Sequence, residues 1–282
     1  MPNKSFSIYS PDEDTVSDVH DRLLLEVGKN HIACIDTNEH KKTISAFELF
    51  NFTENEAADF SKLFEVVFSD SKILTKSYPA TVVFINNELS LLIPIFKFNT
   101  DIAADYLNVI FGEDFFSAIH FEHLPIEPGI MNAYRVSDTL SDILNNKFTK
   151  VSFRHTYSNI VKTIVSDILS YPSECIYIQF YNTFLIVTVA KDEKLQLIQS
   201  FIYEAPEDVL YHLLNITERF ALNRERLILE ISGMIDLHYT LYRDLIAYFR
   251  HVEVQNVHTT KLLPDIKEYP LHYFTPFFNL AL

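Results

Sequence analysis

Glycine is scarce in this sequence, which has only Gly28, Gly112, Gly129 and Gly233 among 282 residues, against a usual share of about 7%. Loops that bind phosphate through backbone N–H groups are built largely from glycine, because a side chain would block the approach. The loop motif G-x-x-x-x-G-K is absent, and so are the nucleophile motif G-x-S-x-G and S-x-x-K with its usual companions. The sequence therefore offers no basis for covalent catalysis and little material for a phosphate loop.

Basic residues are outnumbered, since 23 Lys and Arg stand against 38 Asp and Glu, a formal net charge of -15. This charge repels nucleic-acid phosphates and anionic lipid surfaces, so we expect no nucleic-acid partner. The most apolar stretch, Phe184 to Ala190, is far shorter than the 18 or so residues of a membrane helix, so we expect no membrane insertion. Cys34 and Cys175 lie in predicted strands, which indicates buried free thiols and a cytoplasmic location.

The first 20 residues resemble neither a signal peptide nor a structured element. They have no long apolar core and no small-residue cleavage site, and acidic residues gather at Asp12 to Asp14. This composition predicts a flexible leader.

One order of elements, β-β-β-α-β-α, occurs twice at an offset of about 150 residues. In each half, three strand-like segments precede an amphipathic helix, a short apolar strand suited to parallel pairing, and a second helix. The predicted strands are Leu23–Val27, His31–Asp36, Thr43–Phe52 and Thr81–Ile85 in the first half, and Cys175–Phe180, Phe184–Ala190, Leu195–Tyr203, Arg226–Ile231 and Val252–Val257 in the second. The halves imply an α/β fold with a first lobe at 21–150, a second at 151–257 and a tail at 258–282.

Start and stop signals support the predicted helices. Thr53 to Glu56 fits a capping box, and Pro206 suits the first position of a helix. Gly112 is placed to end a helix over Thr100–Phe111, and Asp236–Arg250 ends in basic residues. Between the halves, Gly129–Asp138 reads as a strand, and Ser137–Asn146 and Tyr157–Leu169 read as helices.

Three segments carry a resemblance to known proteins: LLLEVGKNHIACID (23–36), LSLLIPIF (89–96) and LILEISGMIDLHYTLYRDLIAYF (227–249). Their order resembles the actin-like ATPase superfamily, whose duplicated ribonuclease H-like fold is shared by actin, heat-shock seventy chaperones and sugar kinases. More narrowly, it looks like a bacterial protein family described only by an actin-like ATPase fold. The resemblance implies two ribonuclease H-like lobes, each with a mixed sheet.

In that superfamily, one hairpin from each lobe closes on the nucleotide phosphates, with Asp-x-Gly followed by small or hydroxyl residues. The first hairpin here reads Glu26-Val27-Gly28-Lys29-Asn30. The second, Gln179 to Thr183, contains no acidic residue and no glycine, and it carries two aromatic residues, Phe180 and Tyr181, where the backbone would have to meet the phosphates. If magnesium-ATP bound, the candidate residues would be Glu26, Gly28, Lys29, Asp36 and Gly233. The alternative is a purely structural role for these residues: Gly28 would serve a turn with positive φ, and Glu26 and Asp36 would be solvent-side strand residues.

Two further features carry alternatives. His120 and His123 are three residues apart and would share a metal only if their segment were helical, so we nominate no metal site. The tail YPLHYFTPFFNLAL (269–282) either folds back over its own domain or presents Tyr273, Phe274, Phe277 and Phe278 to a protein partner.

These observations favour a non-catalytic cytosolic protein of actin-like fold. It would bind an unknown protein partner or its own copy through the cleft between its lobes or through the tail, without a cofactor. The alternative is a nucleotide-binding protein or weak ATPase with an atypical magnesium-ATP site between the lobes.

Overall fold

The structure is a computed structural model that describes residues 2–10, 22–38, 43–124, 126, 129–170, 174–256, 266 and 269–281. The chain divides into two compact units. Unit 1 comprises Met1–Lys162 with His258–Ile266 and Leu280–Leu282, and unit 2 comprises Thr163–Val257 with Lys267–Asn279.

Unit 1 is built on a six-stranded mixed sheet and a smaller three-stranded sheet. Its elements are β1 (Asn3–Tyr9), β2 (Arg22–Gly28), β3 (His31–Asn38), β4 (Thr43–Asn51), α1 (Glu54–Ala57), α2 (Phe60–Asp70), β5 (Thr81–Asn86), β6 (Ser90–Pro94), α3 (Ala103–Phe111), β7 (Ser117–Leu124), β8 (Ile130–Ser137), α4 (Asp138–Lys147), β9 (Val151–His155) and α5 (Thr156–Ser170), which continues into unit 2. Short 3₁₀ turns at Ile95–Lys97 and Thr100–Ile102 precede α3.

The main sheet of unit 1 has the strand order β1-β4-β3-β2-β5-β9. The pairs from β1 to β2 are antiparallel, whereas β2 pairs with β5, and β5 with β9, in parallel. The central strands β2 and β3 are buried along almost their whole length because both of their faces are covered. On one face, Leu63, Phe64 and Val67 of α2 pack with Leu25 and Val27 of β2.

Unit 2 repeats this arrangement around a core of its own. Its elements are β10 (Cys175–Phe180), β11 (Phe184–Lys191), β12 (Lys194–Ile202), α6 (Pro206–Arg219), β13 (Ile228–Gly233), α7 (Thr240–Tyr248), β14 (His251–Val254) and α8 (Thr275–Phe278), preceded by a 3₁₀ turn at Leu271–Phe274. The strand order β12-β11-β10-β13-β14, with three antiparallel strands followed by two parallel ones, matches β4-β3-β2-β5-β9. The predicted duplication and the α/β fold with mixed sheets are confirmed. One element of the first copy was wrong: its second helix, the counterpart of α7, is α4 and not the predicted Thr100–Phe111.

Unit 1 differs from unit 2 by an inserted module. Strands β6, β8 and β7 form the separate antiparallel sheet, and α3 packs on it through Leu107 against Ile93 and Ala133. We call residues 90–137 the insert. The sequence predicted α3 and β8 but not β6 or β7.

Three predicted boundaries were wrong. Residues Asn3–Tyr9, expected in a flexible leader, form an edge strand on β4; the rest of that leader, 11–20, lies outside the described residues. The helix expected from Thr53 is broken, because Asp59 caps a new helix by accepting a hydrogen bond from the Lys62 backbone N–H at 3.2 Å. Unit 1 extends past the predicted limit at residue 150, because β9 pairs with β5.

Candidate functional site

Polar residues converge where the parallel strands of unit 1 end. Glu26 lies near the end of β2, Asn86 is the last residue of β5, and Thr156 follows the last residue of β9. The hairpin that joins β2 to β3 contributes His31. Open α/β sheets bind ligands at the carboxyl ends of their parallel strands. This edge of the sheet is therefore the candidate location of a ligand-binding site.

These four side chains form one hydrogen-bonded group, which we call the Glu26 cluster. Glu26 Oε1 accepts hydrogen bonds from Asn86 Nδ2 at 3.1 Å and from Thr156 Oγ1 at 2.8 Å. Glu26 Oε2 is hydrogen-bonded to His31 Nε2 at 3.1 Å. All four side chains are buried. A buried carboxylate is costly unless hydrogen bonds replace its water, and this cluster supplies three.

The structure corrects the expectation that Glu26 and Asp36 lie on the solvent side, since both are fully buried. The reason is the central position of β2 and β3, whose two faces are covered. The structure does not bring the two carboxylates together. Asp36 pairs with Leu23 whereas Glu26 pairs with Ala33, so Asp36 lies about 10 Å along β3 and on the opposite face of the sheet, where Lys76 Nζ is 3.2 Å away.

Gly28 does not serve a turn with positive φ, because the described glycines with positive φ are Gly112, Gly129 and Gly233. A Cβ atom on Gly28 would overlap the His31 imidazole and lie 2.5 Å from its Nδ1. Glycine at this position therefore makes room for the imidazole that hydrogen-bonds Glu26. The neighbouring Lys29 is half-exposed and forms an ion pair with Glu88.

The second hairpin is closed on itself. The sequence predicted that Phe180 and Tyr181 would block the approach of a phosphate. Both side chains are instead buried, and Tyr181 stacks on Phe184 with ring centroids 4.5 Å apart. The Tyr181 N–H donates to the Phe184 carbonyl at 2.9 Å. A Cβ atom on Gly233, at φ +89, would lie 2.8 Å from Phe180 N, so this glycine permits β10 and β13 to approach.

His120 and His123 are not placed to share a metal ion. His120 and His123 lie on β7, where an odd spacing puts them on opposite faces, so the helical geometry needed for a shared metal is not present. Within the described ranges, no group of three or more His, Cys, Asp or Glu side chains is arranged to hold a metal ion.

His155 ends β9 and is fully buried beside the Glu26 cluster residue Thr156. Its Nδ1 accepts a hydrogen bond from the Tyr157 backbone N–H at 3.1 Å, and the Tyr134 ring centroid lies 5.1 Å from its own. Burial lowers the pKa of His155 to about 3, against a smaller opposite effect of the Asn87 backbone. The imidazole is therefore neutral at pH 7 and serves packing.

The aromatic tail folds back on unit 2. His272 Nε2 is hydrogen-bonded to the Ile235 carbonyl at 2.9 Å, and Thr275 Oγ1 donates to the Gln255 carbonyl at 3.1 Å. The residues predicted to contact a partner are mostly inaccessible, as Phe274, Phe277 and Phe278 are buried and Tyr273 is half-buried. They do not form the exposed apolar surface that the interaction hypothesis required.

Comparison with known proteins identifies the family. Residues 12–252 match the model of the family described as "Protein of unknown function (DUF3822)". The chain belongs to this family. No curated protein matches the sequence. In the described part of the chain, no helix of this DUF3822 member is both long and apolar enough to cross a membrane.

Solved structures show the fold of this DUF3822 member. It is similar to a Bacteroides thetaiotaomicron VPI-5482 protein "with actin-like ATPase fold and unknown function", with TM-score 0.74 and 15% identity over 84% of this chain and 91% of that one. It is also similar to a chain of the "PilM-PilN type IV pilus biogenesis complex", with TM-score 0.59 and 10% identity over 94% of this chain and 97% of that one. The fold is therefore actin-like, as the sequence resemblance implied.

Sequence reasoning missed three members of the Glu26 cluster: His31, Asn86 and Thr156. His31 lay inside a predicted strand, and the other two lay one residue outside the predicted elements Thr81–Ile85 and Tyr157–Leu169. A signal was present, since polar residues directly after apolar parallel strands meet at one sheet edge.

Proposed function

We propose that this chain is a non-catalytic cytosolic protein of actin-like fold that binds another protein, with hairpins that serve folding instead of nucleotide binding. The observation that carries the proposal is the closed Glu26 cluster. Glu26 is the one carboxylate in the position expected of a nucleotide-binding hairpin, and Asn86, Thr156 and His31 of the same chain hydrogen-bond it.

Opening this cluster for a metal ion would be costly. Magnesium takes carboxylate oxygens in near-octahedral geometry together with several waters. If Glu26 turned to such an ion, the buried donors of Asn86 and Thr156 would lose their acceptor, at about 1–3 kcal/mol for each group left unsatisfied. The second hairpin offers no compensating acid between Gln179 and Thr183.

Two observations support protein binding. The similar chain in the PilM-PilN complex, by its printed name, belongs to a protein assembly, so an actin-like fold of this kind is compatible with partnering. In addition, exposed large apolar side chains concentrate in the insert of unit 1, with Phe96, Val109, Phe115 and Phe116 each at least 73% exposed. Patches of this type commonly mark interaction sites.

The second candidate is a nucleotide-binding protein or weak ATPase with an atypical magnesium-ATP site. It is favoured by the location of the Glu26 cluster at the carboxyl ends of parallel strands, and by Gly28 and the half-exposed Lys29 in the adjoining turn.

A melting experiment separates the two. The full chain is heated with and without millimolar magnesium and ATP, ADP or GTP. A ligand at 100 times its dissociation constant adds about 2.7 kcal/mol, or several degrees. We expect no shift with any of the three.

A shift of several degrees that disappears in Glu26→Gln would overturn the proposal and establish the second candidate. Glu225→Gln is the matched control, because this glutamate is on the surface in an ion pair with Arg250. The melting temperatures of both variants without ligand show whether they fold.

A further inference from the structure

Four apolar side chains stand in water where α3 ends. Val109 is 82% exposed and Ile110 58%, and Phe115 and Phe116 in the following loop are each 79% exposed. They lie within eight consecutive residues around Gly112, which ends α3 at φ +82. We call Val109, Ile110, Phe115 and Phe116 the apolar patch.

The loop that carries the two phenylalanines is firmly held. The buried Arg135 of β8 donates from Nη2 to Asn108 Oδ1 and to the Gly112 carbonyl, both at 2.6 Å. Asp114 Oδ1 accepts from the Phe116 N–H at 2.8 Å, and the Phe116 carbonyl accepts from the Asp138 N–H at 2.9 Å. Phe116 is therefore fixed at both its backbone N–H and its carbonyl while its ring faces solvent.

This arrangement is unfavourable for an isolated chain. Each large apolar side chain left in water forgoes the stabilisation that burial would provide. Arg135 fixes the loop at Gly112, and Asp114 and Asp138 fix the backbone of Phe116. Exposed rings on a backbone held in this way are preorganised for a partner, and preorganised aromatic side chains are the usual anchors of protein interfaces.

Charge indicates what kind of partner fits. Asp105 lies one helical turn from Val109, Glu113 and Asp114 lie inside the loop, and the exposed Asp138 hydrogen-bonds to Phe116 through its backbone. The segment from Asp105 to Ser117 contains no Lys, Arg or His. The patch thus has an apolar centre and an acidic rim.

We propose that the apolar patch binds a segment of another protein that combines apolar anchors with Lys or Arg, such as a basic amphipathic helix. Complementary charge around an apolar centre favours this occupant. A second copy would bring its own acidic rim and a net charge of -15, and an anionic membrane would be repelled in the same way. This inference rests on the proposed protein-binding function and names its surface and the chemistry of its partner.

The test uses a fluorescein-labelled amphipathic Leu/Lys peptide and the full chain, with fluorescence anisotropy at neutral pH. Two comparison peptides replace Leu by Ser, which keeps the charge, and Lys by Glu, which keeps the apolar face. We expect the Leu/Lys peptide to bind most tightly. The double variant Phe115→Ser with Phe116→Ser should weaken that binding roughly tenfold or more. The exposed pair Tyr211 (66%) and Tyr239 (69%) provides the control, and Tyr211→Ser with Tyr239→Ser should not change binding.

A charge variant, Glu113→Gln with Asp138→Asn, should weaken binding less and reduce its dependence on salt. All of these substituted side chains are exposed, so circular dichroism melts should agree with the unsubstituted chain and confirm that folding is intact.

Equal affinity of the phenylalanine variant and the parent chain would overturn the inference. Self-association at neutral pH that the phenylalanine variant abolishes would also overturn it, because the patch would then bind a second copy. Binding of the parent chain to zwitterionic lipid vesicles that this variant loses would overturn it as well, because the patch would then bind a membrane. The magnesium-ATP melt is independent of these results. A failed patch test with no nucleotide shift would leave the proposed function standing without this surface.

Discussion

Gly233 and Gly112 have similar positive φ values, +89 and +82, but different surroundings. A Cβ atom on Gly233 would lie 2.8 Å from Phe180 N and 2.9 Å from Phe180 C, whereas a Cβ atom on Gly112 has no neighbour within 4 Å. Backbone atoms of a central strand cannot move aside as a surface side chain can. The two residues therefore separate the cost of a left-handed backbone from the cost of a steric clash.

Gly233→Ala is expected to destabilise the chain by about 3 kcal/mol or more, because it adds overlap with β10 to backbone strain. Gly112→Ala should cost about 1 kcal/mol, from strain alone. Urea unfolding followed by circular dichroism measures both. Equal costs would show that the close approach of β13 to Phe180 does not determine the need for glycine.

His155 gives the chain a defined sensitivity to acid. The folded state keeps the imidazole neutral down to pH about 3, while the unfolded chain takes up a proton near its ordinary value of 6.5. Below pH 6.5 the unfolded state therefore binds more protons, and the free energy of unfolding falls as pH falls, by about 1.4 kcal/mol per pH unit until the folded pKa is reached.

His155→Asn should remove this dependence, since an amide keeps an acceptor for the Tyr157 N–H and does not titrate. Between pH 7 and pH 5 the parent chain should lose about 2 kcal/mol more than the variant. Urea unfolding at the two pH values gives the difference, with the exposed His123→Asn as control. Parallel losses in parent and variant would contradict a neutral buried His155.

Some residue roles were beyond sequence reasoning because they depend on contacts that the local pattern does not specify. Gly28 lies in a plausible turn. The residues from Val27 to Asn30 do not indicate that the His31 ring occupies the space that a side chain at position 28 would need. Burial of Glu26 was hidden for a similar reason, since an isolated acid among apolar residues suggests an exposed face until the covering element is known.

At the scale of elements, the sequence predicted every strand with partners on both sides, and also the edge strands β12 and β14. The strands β2, β3, β10 and β11 are mostly apolar and buried almost throughout, which follows from burial on both faces. The missed strands β1, β6, β7 and β9 are edge strands. An edge strand is half exposed and short of apolar residues, so its pairing depends on a neighbour that the local sequence does not reveal.

The edge strand β1 is expected to stabilise unit 1. It covers β4, and Lys4 and Tyr9 both reach the buried carboxylate of Glu48, with Lys4 Nζ 3.4 Å from Glu48 Oε1. Removing residues 2–10 should lower the melting temperature by about 5 °C or more. The reason is that β4 loses its backbone hydrogen bonds with β1, and Glu48 loses two partners. Thermal unfolding by circular dichroism measures the change.

Tyr9→Phe provides the graded control for this deletion. It removes one hydroxyl from Glu48 and keeps the strand, so it should lower the melting temperature by only about 2–4 °C. An unchanged melting temperature after the deletion would show that β1 contributes nothing to unit 1.

At the scale of the whole molecule, the duplicated order of elements was predictable because each unit encloses its own apolar core and repeats the hydrophobic periods that build it. The surface was less accessible to sequence reasoning. The aromatic tail was predicted as a possible binding surface, but its phenylalanines are buried. Phe115 and Phe116 were not predicted as part of any surface, and both are exposed. Composition states how many aromatic rings a chain has, and only packing determines which of them remain in water.

The opposing effects of net charge and exposed apolar surface predict self-association near the isoelectric point. The charge of -15 at pH 7 keeps copies apart, and it vanishes near the sequence pI of about 5.1. Near pH 5 the net charge of each copy approaches zero, so repulsion between whole chains no longer opposes contact of one copy's apolar patch with that of another. Light scattering should therefore rise as pH falls from 7 to 5, and less so in the Phe115→Ser, Phe116→Ser variant.

Unfolding in acid is a separate cause of scattering, since neutral His155 already weakens the fold below pH 6.5. Circular dichroism melts at pH 5 distinguish the two, because association of folded copies leaves the melt of the parent and of the phenylalanine variant similar. The Tyr211→Ser, Tyr239→Ser variant removes as much exposed aromatic surface from unit 2 and should scatter like the parent. If both double variants reduced scattering equally, apolar surface in general, and not the patch beside α3, would drive the association.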